Sequence, residues 1–320
     1  MYSSSPLIAL VGPTAVGKTA LSLKLAEELG AEIISVDSMQ VYKYMDIGTA
    51  KPNVEEQGRV PHHLIDIACP DEDYNAGRFV KDAENAIEAI RGRGRVPMLV
   101  GGTGLYLKSL LEGIFELPAI DRKIRSDVRR RLVKFGSEAL HSRLTDIDPV
   151  MAAKLHPHDS QRITRGIEIF ESTGIRWSDL LRQKEKKFPI KNCYIVGLTR
   201  QRSVLYQRID LRSALMLEKG LIEEVQKLLD MGYSANLKSM QAIGYRHVIE
   251  MREGKRGFDA TVALLARDTR RYAKRQYTWF SGMQGLQGFD CENEAAIRAG
   301  LLAYLENGHA GSPSEQGTQQ

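Results

Sequence analysis

Residues 12–19 read GPTAVGKT, and no other stretch restricts the fold so tightly. The pattern G-x-x-x-x-G-K-T follows an apolar run, LIALVG. It opens an amphipathic segment from Lys18 to Leu29 in which Leu21, Leu25 and Leu29 recur at helical spacing and Gly30 closes the helix. Strand, glycine loop and helix in that order make a phosphate cradle. Gly12 and Gly17 allow backbone amides to turn inward, and the helix N-terminus adds the positive end of its dipole. Lys18 supplies a point charge, and the Thr19 hydroxyl is the expected ligand of Mg²⁺. Such a chain binds a di- or triphosphate.

The alternation continues beyond the loop. AEIISVD is a second strand, HHLIDIA a short third one, AGRFVKDAENAIEAIRGRG a helix ending in glycines, and VPMLVGG another buried strand. Strand–helix alternation predicts an α/β fold, a P-loop NTPase-like parallel sheet with helices on both faces. From about residue 120 to 190 the apolar β-runs vanish and charged helical sequence takes over, before NCYIVGLTR returns to strand character. We read 120–190 as a helical insertion in a core built from 1–119 and 191–308. Three helical stretches complete that core: RSVLYQRIDLRSALMLEKG, LIEEVQKLLDMG and DATVALLARDTRRYAKRQYTWF. The small polar tail, 309–320, is expected to be disordered.

Composition narrows the class. At 42% hydrophobic and 27% charged, with mean hydropathy −0.30, the chain is of ordinary globular type. No apolar run approaches the ~20 residues that span a bilayer, and the N-terminus lacks a secretory pattern. Cys69, Cys193 and Cys291 are odd in number and far apart, which excludes a disulfide framework and fits a cytoplasmic protein. Net charge is +5 and the pI about 9.0. DRKIRSDVRRRLVK (121–134) carries seven basic residues against two acidic ones, and RDTRRYAKRQ (267–276) five against one. With QRITR at 161–165 between them, they point to a polyanion larger than a nucleotide.

Usually a strand beside such a cradle ends in an acid near the metal. Here VPMLVGGTG ends in Gly101, Gly102 and Thr103. Asp37, at the tip of the second strand, is the first-half strand-end acid that can face the cradle. Three roles stand open on residue chemistry: a base toward the substrate, a water-mediated Mg²⁺ ligand, or a cap of the following turn through the amides of Ser38 or Met39. His62 and His63 are adjacent on extended chain and point to opposite faces, so they are read as packing and hydrogen-bonding residues rather than a metal pair.

Taken together, GPTAVGKT, SVDSMQVYKYMDIGTAKP, PHHLID, LVGGTGLYL, HPHDSQRITRGIEIF, MQAIGYRHV and RRYAKRQYTWF resemble the bacterial tRNA dimethylallyltransferases, from about Pro6 to Asp290. The resemblance implies transfer of a dimethylallyl group from its diphosphate to N6 of adenosine 37, beside the anticodon of tRNAs that read codons beginning with U. Gly12, Pro13, Thr14, Ala15, Val16, Gly17, Lys18 and Thr19 would then wrap the diphosphate, helped by Arg212 with Arg208 as runner-up. Asp37 would act as general base, with Thr103 beside it as a second catalytic contact. Asp37, Ser38, Met39, Gln40 and Thr103 would touch the target nucleotide. Arg125 and the series Gln161, Arg162, Ile163, Thr164 and Arg165 would hold the tRNA anticodon stem-loop. Mg²⁺ at Thr19 is the implied cofactor, and a monomer the implied state. Rival readings are an adenylate isopentenyltransferase acting on AMP or ADP, a P-loop small-molecule kinase using ATP, and an RNA-binding protein without activity.

Overall fold

The computed structural model describes residues 6–113, 120–183, 190 and 192–309. In chain order the elements are β1 (Ile8–Val11), α1 (Lys18–Leu29), β2 (Ala31–Val36), α2 (Val54–Arg59), β3 (His62–His63), α3 (Ala76–Gly92), β4 (Val96–Gly101), α4 (Gly104–Glu112), α5 (Arg122–Ile147), α6 (Pro149–Ala152), α7 (Ser160–Thr173), α8 (Trp177–Gln183), β5 (Tyr194–Thr199), α9 (Arg202–Glu218), α10 (Leu221–Asp230), α11 (Tyr245–Arg252), α12 (Phe258–Ser281), β6 (Leu286–Asp290) and α13 (Glu294–His309). The chain forms two compact units, Met1–Leu111 with Ile190–Gln320, and Glu112–Pro189.

In the larger unit six parallel strands lie in the order β3-β2-β4-β1-β5-β6. Every residue of β1 and β2 is buried, because helices cover both faces and leave no solvent side for polar residues to alternate into. Ile8, Leu10, Ile33, Met98, Val196 and Leu198 share one apolar cluster with residues of α1, α9 and α13. Glu32 is the charged residue buried in β2. It accepts two hydrogen bonds from Arg93, at 2.7 and 3.1 Å, and lies 2.7 Å from His63, and the Arg93 pairing holds its carboxyl below the usual range.

Register decides where the site is. Val11 and Val36 both pair with Gly101, so Gly12, Asp37 and Gly102 stand level, one residue past the carboxyl ends of three adjacent strands. Open α/β sheets bind ligands at that edge.

Two elements depart from expectation. The third strand is only His62–His63, because Leu64 and Asp66 adopt left-handed backbone, φ 61° and 56°, which no strand sustains. The two histidines do bond as anticipated, His62 to the Val60 carbonyl and His63 to Glu32. The edge strand β6 was not foreseen, since LQGFD is mostly exposed and carries no apolar run. The expected tail, apart from His309, lies outside the described residues. Among the described residues no helix is long and apolar enough to cross a membrane.

In the smaller unit α5, α6 and α7 enclose their own core of Val128, Leu140, Leu144, Ile147, Met151, Ile163 and Ile167. Asp148, 1% exposed, caps two helices at once by accepting from the amides of Met151 and Ser178 at 3.0 and 2.8 Å. Helix α5 breaks at Gly136, where φ is 80°.

Candidate active site

The cradle is held by its own lysine and by three arginines. Lys18 Nζ donates to the carbonyls of Gly12 and Pro13 at 2.9 and 2.8 Å. Arg200 Nε donates to Val16 O at 3.2 Å and Arg208 Nε to Ala15 O at 2.9 Å, while Arg212 donates to the Thr14 hydroxyl. Arg208 and Arg212 stand one turn apart on α9, so both face the loop. Burial lowers the Lys18 ammonium to about 7, against the pull of Asp37. Burial likewise lowers Arg212 to about 10, assisted by the like charge of Arg208. Two cations are thus kept poorly solvated beside a backbone built to accept an anion.

Asp37 Oδ1 accepts from the amides of Met39 and Gln40 at 2.8 and 3.3 Å. The turn-capping role is therefore real for one carboxylate oxygen. Burial pushes the carboxyl above its ordinary range even so, outweighing those amides and the attraction of Lys18 and Arg212. The Thr103 hydroxyl accepts from Ser38 N at 3.0 Å and lies 3.4 Å from Ser38 Oγ, while the Thr103 amide donates to Val36 O at 3.1 Å. Thr103 thus ties the end of β4 to the turn that carries Asp37.

The glycines at the end of β4 have a steric cause. A Cβ at Gly101 would lie 2.1 Å from Val36 O, and one at Gly102 2.2 Å from Gln276 Nε2. Gln276, on α12, donates to Gly102 O at 2.9 Å and accepts from the Thr14 amide at 2.9 Å. It clamps the cradle to the strand where a carboxylate stands in most such folds. Gln276, Arg200 and Tyr272 were not singled out from sequence. Gln276 and Tyr272 lie inside RRYAKRQYTWF, but residue type alone gives no sign of which side chain turns inward.

Two cavities open from this edge. One, of about 430 Å³, is lined by Thr14, Lys18, Thr19, Gln40, Arg208 and Arg212 among others. The other, of about 330 Å³, is lined by Ser38 and Met39, by the apolar Met216, Ile243 and Leu265, and by Tyr272 and Arg275. Thr14, Asp37, Thr49, Ala50 and Arg212 belong to both. Asp37 stands at the waist of a two-chambered site.

Among the described residues no cluster of three or more His, Cys, Asp or Glu could cage a metal. A pocket of about 60 Å³ does bring the Thr19 hydroxyl and Asp37 together with Ser22, Ser35 and Gln40. Those are hard oxygen donors in small number, which suits an ion that keeps waters and takes its remaining ligands from phosphate.

The expected RNA contacts of the smaller unit lie on α5 and α7. Gln161 and Arg162 are exposed in the first turn of α7, with Arg162 2.9 Å from Asp159. The Thr164 hydroxyl donates to Ser160 O at 2.8 Å, and Arg165 is half-buried, 3.6 Å from Glu168. Arg125 is exposed on the first turn of α5. Ile163 is 0% exposed in the core of this unit, turned inward by helical periodicity between exposed Arg162 and half-buried Thr164.

A family model described as IPP transferase matches residues 40–283, and one described as Isopentenyl transferase matches residues 5–66. A tRNA dimethylallyltransferase of Desulfotalea psychrophila is 50% identical over 302 residues, 94% of this chain and 96% of its own. One from Thermotoga maritima is 49% identical over 274 residues, 85% of this chain and 88% of its own. A crystal structure of the tRNA isopentenylpyrophosphate transferase of Bacillus halodurans is 40% identical. It aligns over 95% of this chain and 98% of its own with a TM-score of 0.69. A eukaryotic dimethylallyltransferase captured acting on tRNA is 28% identical, over 98% of this chain and 81% of its own, with a TM-score of 0.78.

Proposed function

The chain belongs to the IPP transferase family of tRNA dimethylallyltransferases, and from that membership we propose how its own residues carry the transfer. The diphosphate of dimethylallyl diphosphate sits in the cradle of residues 12–19. Lys18, Arg208 and Arg212 exchange the loop oxygens they now bond for phosphate oxygens. The adenine enters the second cavity, beside Met216, Ile243, Leu265 and Tyr272, with N6 against Asp37. Its lone pair forms the new N–C bond to the allylic carbon, the C–O bond breaks, and that electron pair leaves with the diphosphate. The N6 proton passes to Oδ2 of Asp37, whose other oxygen is fixed by the Met39 and Gln40 amides. An exocyclic amine is a weak nucleophile because its lone pair is delocalised into the ring, so removing its proton as it attacks is worth roughly 10²–10⁴-fold. Thr103 acts by holding Ser38 and the turn around Asp37. The Thr19 hydroxyl would hold Mg²⁺, which when bound would supply neutralisation of the leaving diphosphate.

The observation that carries this reading is the position of Asp37 and Arg212 in both cavities. One chamber carries Lys18, Arg208 and Arg212, the other Met216, Ile243, Leu265 and Tyr272, and the base stands where they meet. The RNA partner is the anticodon stem-loop, and its target is adenosine 37 of tRNAs reading codons that begin with U. An unpaired loop base is cheaply extruded into a pocket. We assign Arg125, Gln161, Arg162, Thr164 and Arg165 to its stem. One chain walls both cavities, which supports a monomer as the working unit, and an RNA substrate supports the cytoplasm as its place of work.

The test is single-turnover transfer of labelled dimethylallyl from its diphosphate to tRNA and, separately, to AMP. Transfer to tRNA alone, falling at least ~100-fold in Asp37→Asn while RNA affinity holds, is the expected result. Preferential transfer to AMP, or an Asp37→Asn variant at full speed, overturns the reading.

A further inference from the structure

The segment between β2 and Pro52 enters the cleft through Gly48, Thr49 and Ala50, and it is held from a distance. Glu224, on α10, accepts hydrogen bonds from three successive amides. Its Oε2 takes those of Asp46 and Ile47 at 2.9 and 2.8 Å, and its Oε1 that of Gly48 at 3.1 Å. Oε1 also accepts the Tyr245 phenol at 2.5 Å. Tyr245, at the start of α11, is 0% exposed, and its ring fills the space beside Gly48, where a Cβ would lie 2.4 Å from a ring carbon. Lys51 pins the far end: its side chain, 3% exposed, bonds the carboxylates of Asp46 and Asp66 at 2.5 and 2.6 Å and the Tyr42 carbonyl at 2.9 Å. Burial and the Glu224 charge together push the Tyr245 phenol above its ordinary range, so it stays a donor.

From this loop the bonding runs on into the cleft. Gln40 Nε2 donates to Ala50 O at 3.3 Å, its Oε1 accepts from Ser35 Oγ at 2.9 Å, and its amide donates to Asp37 Oδ1 at 3.3 Å. We propose that Glu224 and Tyr245 are positioning residues for the transfer, fixing residues 46–50 and, through Gln40, the carboxylate of Asp37 at the waist of the two cavities. A carboxylate is needed at 224. Four donors converge on two oxygens, two on each, and an amide there would set its own NH₂ against two of them. The proposal rests on the reading of Asp37 as the base.

Single-turnover rates, affinities for an anticodon stem-loop RNA and for diphosphate, and melting temperature are measured on the full chain. The variants are Glu224→Gln, Glu224→Ala and Tyr245→Phe, with exposed Glu223→Gln as control. Displacing a reacting group by a fraction of its bond length is costly, so Glu224→Gln should lose about 10- to 100-fold in rate. Loss of one hydrogen bond in Tyr245→Phe should cost about 3- to 10-fold. Affinities should stay within ~3-fold, since uniform binding is untouched. A purely structural defect would lower the melting temperature and both affinities together, whereas lost positioning lowers the rate while affinities and melting temperature hold. Rates like those of the parent in Glu224→Gln and Tyr245→Phe overturn the proposal, whatever becomes of Glu224→Ala. Asp37→Asn, run alongside, separates the two ideas. If it is inactive while the Glu224 variants are normal, the positioning role alone fails. If it is active, the base assignment fails, and the Glu224 rates still decide whether the loop sets the geometry of the cleft.

Discussion

At the scale of single residues the cleft is poised by desolvation. Lys18 sits near 7 because burial outweighs its attraction to Asp37, and a bound diphosphate, bringing negative charge into contact, raises it again. Below pH 7 the lysine is already protonated and binding takes up no proton there. Above pH 7 binding draws one in, so affinity falls as pH rises, by up to about tenfold per unit. Calorimetry of diphosphate binding at pH 8 in buffers of different ionisation enthalpy should show this uptake, and Lys18→Met should remove it while leaving the ligand's own titration. Arg212 contributes a charge-assisted contact, worth about 1.5–3 kcal/mol. Arg212→Ala should therefore raise the KM for dimethylallyl diphosphate at least ~10-fold, with little change in stem-loop affinity, read from steady-state kinetics and anisotropy. The cradle was legible because its parts are contiguous in sequence. The clamp by Gln276 was not, because Thr14 and Gly102 meet it only after α12 has packed.

Secondary elements divide the labour. Buried strands announced themselves as unbroken apolar runs, whereas β6 carries too few buried side chains to do so. Helix α7 shows why periodicity must be applied within a motif. The run from Gln161 to Arg165 reads as one recognition stretch, yet Ile163 belongs to the core and its neighbours to the surface. Ile163→Val should cost about 0.5–1.5 kcal/mol in denaturant titration and leave stem-loop affinity unchanged. Arg162→Ala, at an exposed position, should do the reverse, weakening RNA binding with little change in stability. Finding both effects in one of the two variants would mean that core and contact are not separate on this helix.

For the whole molecule, a net charge of +5 concentrated on a few helices makes RNA capture an ion-exchange event. Raising salt from 50 to 200 mM should weaken stem-loop binding at least ~10-fold, while single-turnover transfer at saturating RNA changes by less than ~3-fold. Filter binding and quench measurements across that range check both halves. Long-range order is where sequence reading ends. Glu224 looks like one more acid on an amphipathic helix, and the three amides it holds lie 176 to 178 residues away. The two chambers share five wall residues, Thr14, Asp37, Thr49, Ala50 and Arg212, so whatever fills one reshapes the partition of the other.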